Sequence, residues 1–124
     1  MIPSRVKLSV DATNRLRNLK AHTGMDHNVY CRLGICYSLA DPRPANPDSY
    51  DEKGQEIARA TLLGEWESAY LALIRERCVV DGLDVARNLG PQLRAHVNRG
   101  VVAISPRLKD LGDLAALIPS LPPR

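Results

Sequence analysis

The chain has 124 residues, 44% of them hydrophobic, with a net charge of +3; this describes a folded domain with a core of its own and excludes a disordered segment. No apolar run approaches the ~18–20 residues of a membrane span, and Met1-Ile2-Pro3-Ser4-Arg5 lacks the apolar stretch of a secretory signal. Three cysteines, Cys31, Cys36 and Cys78, are an odd count that argues against a disulfide framework, so the expectation is a soluble, cytoplasmic protein with reduced, core-packed thiols and no membrane contact.

Arg5, Val6, Lys7, Leu8, Ser9 and Val10 alternate with period two. They predict a strand with Val6, Leu8 and Val10 on one face and Arg5, Lys7 and Ser9 on the other. Asp11 is suited to cap a helix from about Ala12 to His22, with Leu16 and Leu19 as apolar contacts and Gly24 as its left-handed end. Residues 29–40 predict a second helix whose single charge is Arg32. Gly34 inside it costs about 1 kcal/mol relative to Ala, which implies close packing. Residues 41–54 hold three prolines, four acids and a glycine, the composition of an irregular loop. Residues 55–63 read as a short strand or an extended approach. Residues 65–79 read as a helix with Trp66, Tyr70, Leu73, Ile74 and Cys78 at helical spacing, ended by Gly82. Two short helical pieces near 84–89 and 91–98, an apolar strand or link over 100–105, and a last helix from Ser105 through Ile118 complete the chain before an extended tail.

The fold class is therefore mainly α: a ribbon-helix-helix-like N-terminal unit, a short strand plus two helices, followed by additional C-terminal helices. A single domain spans 1–124. Its parts are a DNA-binding portion (1–40), an irregular acidic Pro-rich loop (41–54) and a helical portion (55–124). A lone short strand cannot form a sheet, so two subunits are expected to pair their strands across a twofold axis, giving a homo-oligomer. A two-stranded ribbon fits the major groove of DNA.

Charge is uneven along the chain. Residues 1–40 carry six basic and two acidic side chains, and residues 41–56 carry two basic and five acidic ones. The basic N-terminal third is the candidate surface for a polyanion. The candidate DNA-binding residues are Arg5, Lys7, Arg15, Arg17 and Lys20, with Arg32 on the more buried second helix. Arg87, Arg94, Arg99 and Arg107 are the alternative set. An edge strand guarded by Arg5 and Lys7 is the competing structural explanation.

The sequence holds little that points to catalysis. Asp48, Asp51, Glu52 and Lys53 resemble a nuclease metal set, but they lie within one short Pro-rich loop, whereas such chemistry needs carboxylates fixed around an open metal site. Cys31 and Cys36 are five apart and do not share a helix face. His22, His27 and His96 have no ligand spacing. No catalytic residue, metal or cofactor is expected.

The stretches "PSRVKLSVDATNRLRNLKAHTG", "NVYCRLGICYSL" and "GQEIARATLLGEWESAYLALIRERC" resemble the DndE family of DNA sulfur modification proteins. The resemblance runs from near Pro3 to near Ile118. It implies a small protein of the bacterial system that replaces a non-bridging backbone oxygen of DNA with sulfur. It further implies double-stranded DNA, possibly nicked, and other proteins of that system as partners, with dimers or tetramers as the assembly. The leading expectation is a DNA-binding subunit without catalysis of its own. The alternatives are a DNA-nicking endonuclease of the same system, or a ribbon-helix-helix transcription repressor or antitoxin.

Overall fold

A computed structural model describes residues 2–108, and its first element is shorter than the alternation suggests. Strand β1 covers Arg5–Lys7, with Val6 buried between exposed Arg5 and Lys7. Ser9 then ends the extended run. Its Oγ accepts a hydrogen bond from the Ala12 amide at 3.0 Å and caps helix α1, Val10–Thr23. A serine oxygen on an otherwise orphaned helical N–H outweighs two more residues of strand. The cap is thus Ser9 where Asp11 was expected, and Val10 is an exposed first helical residue rather than part of the strand's apolar face. At the other end Gly24 adopts φ +77°, and its amide donates to the Lys20 carbonyl.

The strand's partner is the main departure from expectation. β1 pairs antiparallel with β2, Glu56–Ala58, of the same chain, with Val6 opposite Ile57 and Lys7 opposite Glu56. The strand–helix–helix order holds, but a second subunit is not required to complete the ribbon. Residues 41–54 make this possible by bringing the chain back to the N-terminus. The loop contains one 3₁₀ turn, Pro47–Ser49, and its last residues join the ribbon through hydrogen bonds from the Leu8 amide to the Gln55 carbonyl and from the Gly54 amide to the Leu8 carbonyl.

Helix α2 covers His27–Ala40, α3 is a short helix at Arg59–Leu63, and a 3₁₀ turn at Gly64–Trp66 leads into α4, Glu67–Val80. Helix α5 runs unbroken over Val85–Ile104 before a 3₁₀ turn at Ser105–Arg107. The separate pieces expected over 84–105 are therefore one helix with Pro91 inside it. Proline removes one intrahelical hydrogen bond, but Leu89, Leu93, Val97, Val101 and Ile104 form a continuous buried stripe along α5. That burial holds the helix across the proline. The helix expected from Ser105 opens instead as the 3₁₀ turn at Ser105–Arg107, with Leu108 extended after it; the rest of it through Ile118, and the tail, lie outside the described residues.

The core draws Leu8 and Leu16, Ile35, Leu62 and Leu63, Ile74, and the α5 stripe into one cluster. Its tightest point is where α2 crosses α5 at Gly34 and Gly100. A Cβ on Gly34 would sit 2.9 Å from the Val101 amide nitrogen, and a Cβ on Gly100 would collide with the Gly34 carbonyl. The close packing expected at Gly34 is thus a backbone-to-backbone contact. No helix among the described residues is long and apolar enough to cross a membrane.

Candidate nucleic-acid interface

The six basic candidates fall into three environments. Arg5 and Lys7 project from the ribbon and, with Arg94 of α5, line a groove of about 450 Å³ that also contains Asp48 and Glu52 of the loop. Lys7 lies 3.9 Å from Glu56 across the ribbon, with both side chains nearly half exposed. Arg17 lies around the corner on the exposed side of α1, beside Lys53 and Gln55. Lys7 and Lys53 also line one shared depression, so the basic side chains from Arg5 to Arg17 form one path along the ribbon and loop to α1.

Arg15 faces the other flank of α1. It pairs with Asp11 at 3.0 Å and donates to Ser105 Oγ at 2.6 Å. Lys20 is exposed and pairs with Asp26 at 3.2 Å. Arg32 is engaged elsewhere: its guanidinium donates to the Leu62 carbonyl at 2.7 Å and the Thr61 carbonyl at 3.1 Å, where it fixes the end of α3.

The alternative arginines do not converge on a surface. Arg87 is exposed beside Asp84, and Arg107 lies over the Tyr37 ring at 5.4 Å. Arg94 and Arg99 instead hold the Pro-rich loop. Arg94 donates to the carbonyls of Pro47 (2.6 Å), Tyr50 (3.2 Å) and Asp51 (3.3 Å). Arg99 donates to the carbonyls of Ser38 (2.9 Å) and Arg43 (2.7 Å). Arg77 of α4 joins them, donating to the carbonyls of Leu39, Asp41 and Arg43. A loop with three prolines lacks the amides for a ladder of its own, so its carbonyls need outside donors, and three arginines from α4 and α5 supply them. The loop is therefore irregular in shape but fixed in place. Asp51 completes the attachment by accepting from the Val10 and Lys53 amides, bonds that hold its carboxyl below the usual carboxylate range, the Lys53 amide foremost.

The family model described as DNA sulphur modification protein DndE matches residues 5–110. The chain belongs to the DndE family. Among solved structures it is similar to the DndE of Escherichia coli B7A, described as involved in DNA phosphorothioation modification. That match has 26% identity and a TM-score of 0.68, and covers 84% of this chain and 98% of that one. A DndE glycine-to-lysine mutant, described as involved in DNA phosphorothioation, matches at 23% identity with a TM-score of 0.65, covering 84% and 99%; at that identity the likeness is one of fold. No curated protein sequence matches the chain.

Two further groups in this DndE-family chain bear on its chemistry. The thiols divide by helix face. Cys31 and Cys78 are buried, and desolvation raises both, Cys31 to about 12. Cys36, expected in the core, is exposed because five residues rotate it well away from Cys31. Among the described residues, no three His, Cys, Asp or Glu side chains converge to hold a metal.

His96 is the one fully buried histidine, with Nδ1 2.8 Å from Ser38 Oγ. Arg99 Nε donates to that same oxygen at 2.8 Å. Ser38 Oγ thus joins the imidazole to the guanidinium, and His96 Nε2 is buried with no hydrogen-bond partner among the described residues. Burial, with the repulsion of Arg99 and Arg77, lowers the His96 pKa to about 4. The unfolded chain takes up a proton near pH 6.5, while the folded chain resists it until about pH 4. Stability from this group is complete above the unfolded value and declines as pH falls through that window. The expected loss between pH 7 and pH 5 is about 2 kcal/mol. Urea midpoints at the two pH values should show it, and His96→Asn should flatten the difference even if it lowers both midpoints. An equal loss in both proteins would assign the pH dependence to other groups.

Proposed function

We propose that this chain is the DNA-binding subunit of a phosphorothioation system. In this reading it contacts the backbone of duplex DNA, nicked duplex included, and works beside other proteins of that system as a homo-oligomer. The observation that carries it is the path of exposed basic side chains from Arg5 and Lys7 on β1 to Arg17 on α1. Arg15 and Lys20 extend the surface along the helix. Their ion pairs are partly or largely exposed, and such pairs contribute only about 0–1 kcal/mol, so a phosphate can replace the carboxylate. Arg32 is bound to main-chain carbonyls, so the reading rests on the other five. Backbone contact suits a system whose chemical target is the backbone, because phosphates position a protein without reading sequence. The exposed apolar side chains Trp66, Leu73, Val79 and Val80 support the oligomer, as large uncovered apolar groups mark association surfaces.

Lys7→Ala combined with Arg17→Ala tests the reading. Each phosphate contact removed should lower the slope of log affinity against log salt by about one unit. The double variant should therefore bind more weakly on every duplex sequence, with a slope about two units shallower and an unchanged mass by light scattering. Unaltered binding at low salt would remove these residues from the interface. Titration of intact, nicked and single-stranded DNA sets the substrate preference. Supercoiled plasmid in the same assay would reveal nicking, the outcome that favours the endonuclease alternative.

A further inference from the structure

The loop side of the surface assigned to DNA is not uniformly basic, and the main chain that carries its acids is held in position. Arg5, Lys7, Arg17, Lys53 and Arg94 share it with Asp48, Asp51, Glu52 and Glu56. Five positive side chains thus face four negative ones. Glu56 sits 3.9 Å from Lys7, and Glu52 sits 3.6 Å from Arg94. An acid on a mobile loop could swing away as a phosphate approached. Here the main chain that carries them is held, because Arg94 grips the loop carbonyls, Asp51 is bonded to the first amide of α1, and Gly54 is tied to Leu8. Their repulsion toward a polyanion is therefore built into the folded surface.

We propose that Asp48 and Glu52 are affinity-setting residues that hold DNA binding below what the basic side chains alone would give; this rests on the DNA-binding reading above. Glu52 offsets the charge of Arg94 at 3.6 Å, and both acids share the groove with Arg5 and Lys7, so fewer counterions are released when DNA docks and the complex dissociates more readily. A protein that must yield a backbone site to other proteins of its system has a use for such a limit. Asp48 and Glu52 are the informative pair because both are exposed, and neither carboxylate accepts a hydrogen bond among the described residues.

The experiment compares full-length wild type with Asp48→Asn/Glu52→Gln on intact and nicked duplex at several salt concentrations. Glu65→Gln/Glu76→Gln, two exposed acids that do not line the groove, serves as a control with the same change in net charge, with light scattering confirming that its mass equals that of wild type because both positions neighbour the exposed apolar residues of α4. The loop variant should bind about tenfold tighter at low salt, from two like charges removed at short range, and its salt slope should steepen. The control should change affinity far less. If the loop variant binds like wild type, or if the control tightens binding equally, the inference is overturned while the DNA-binding reading stands. If wild type itself fails to bind duplex at low salt, the DNA-binding reading fails and takes the inference with it.

Discussion

Gly100→Ala is expected to unfold the protein or destabilise it by at least about 3 kcal/mol, although alanine is the better helix former by about 1 kcal/mol. The sign follows from what the new methyl would meet. It would collide with the carbonyl oxygen, carbonyl carbon and Cα of Gly34, all backbone atoms of α2. A side chain can change rotamer to admit a methyl group; the backbone of α2, whose Tyr30, Cys31 and Ile35 are fully buried in the core, cannot move aside cheaply. The two helices would have to separate along their length, loosening the α5 stripe on which the fold depends. Against a total stability of about 5–15 kcal/mol for a domain of this kind, that loss is severe. Gly90→Ala on the same helix provides the contrast. Its methyl would meet only the Pro3 ring, at 2.9 Å from Cδ, so a short extended segment and not a second helix has to shift. It should therefore cost clearly less than Gly100→Ala. Urea denaturation followed by circular dichroism separates the two outcomes. A Gly100→Ala protein as stable as wild type would show that the helices do not touch there.

The elements that repeat a period over many residues were legible in the sequence. α1, α2 and α4 were anticipated to within a few residues, because their apolar spacing, caps and terminal glycines act locally. The errors fall where a distant partner decided the outcome. Residues 84–105 read as separate pieces because nothing nearby announces that α5 is held by its burial against α2. Likewise, β1 seemed to need a second subunit because its partner lies about fifty residues later. The candidate interface was partly legible. Alternation exposed Arg5 and Lys7, and helical spacing exposed Arg17 and Lys20, but the role of the loop was not visible. Arg77, Arg94 and Arg99 look like surface charge in a one-dimensional reading. Only the folded chain brings their guanidinium groups to main-chain carbonyls that three prolines leave without amide partners.

Removing Arg77 should cost nearly as much as disturbing the helix crossing, and in a way that identifies the cause. The residue is 8% exposed, and Asp81 beside it is almost wholly covered. Its Nε donates to both Asp81 oxygens at 3.1 and 3.0 Å, one terminal nitrogen donates to the Leu39 carbonyl, and the other donates to the carbonyls of Asp41 and Arg43 at 2.7 Å. One guanidinium thus joins the end of α4 to the end of α2 and to the start of the loop, and its charge also complements the carbonyl end of the α2 dipole. Arg77→Met keeps much of the volume but strands a buried carboxylate and three carbonyls, for an expected loss of about 3–5 kcal/mol. Arg77→Lys should recover little of it, since an ammonium cannot reach acceptors arranged around a planar fork. Arg77→Met with Asp81→Asn removes both charges together and should be less destabilised than the sum of the two single variants by well over about 1 kcal/mol. Because Arg77 and Arg99 both hold the Arg43 carbonyl, the same substitution should release the start of the loop first. Amide exchange at Asp41, Arg43 and Ala45 should then rise before exchange in α5 does. Additive losses in the double variant, or unchanged exchange in the loop, would mean that the ion pair is not what anchors it.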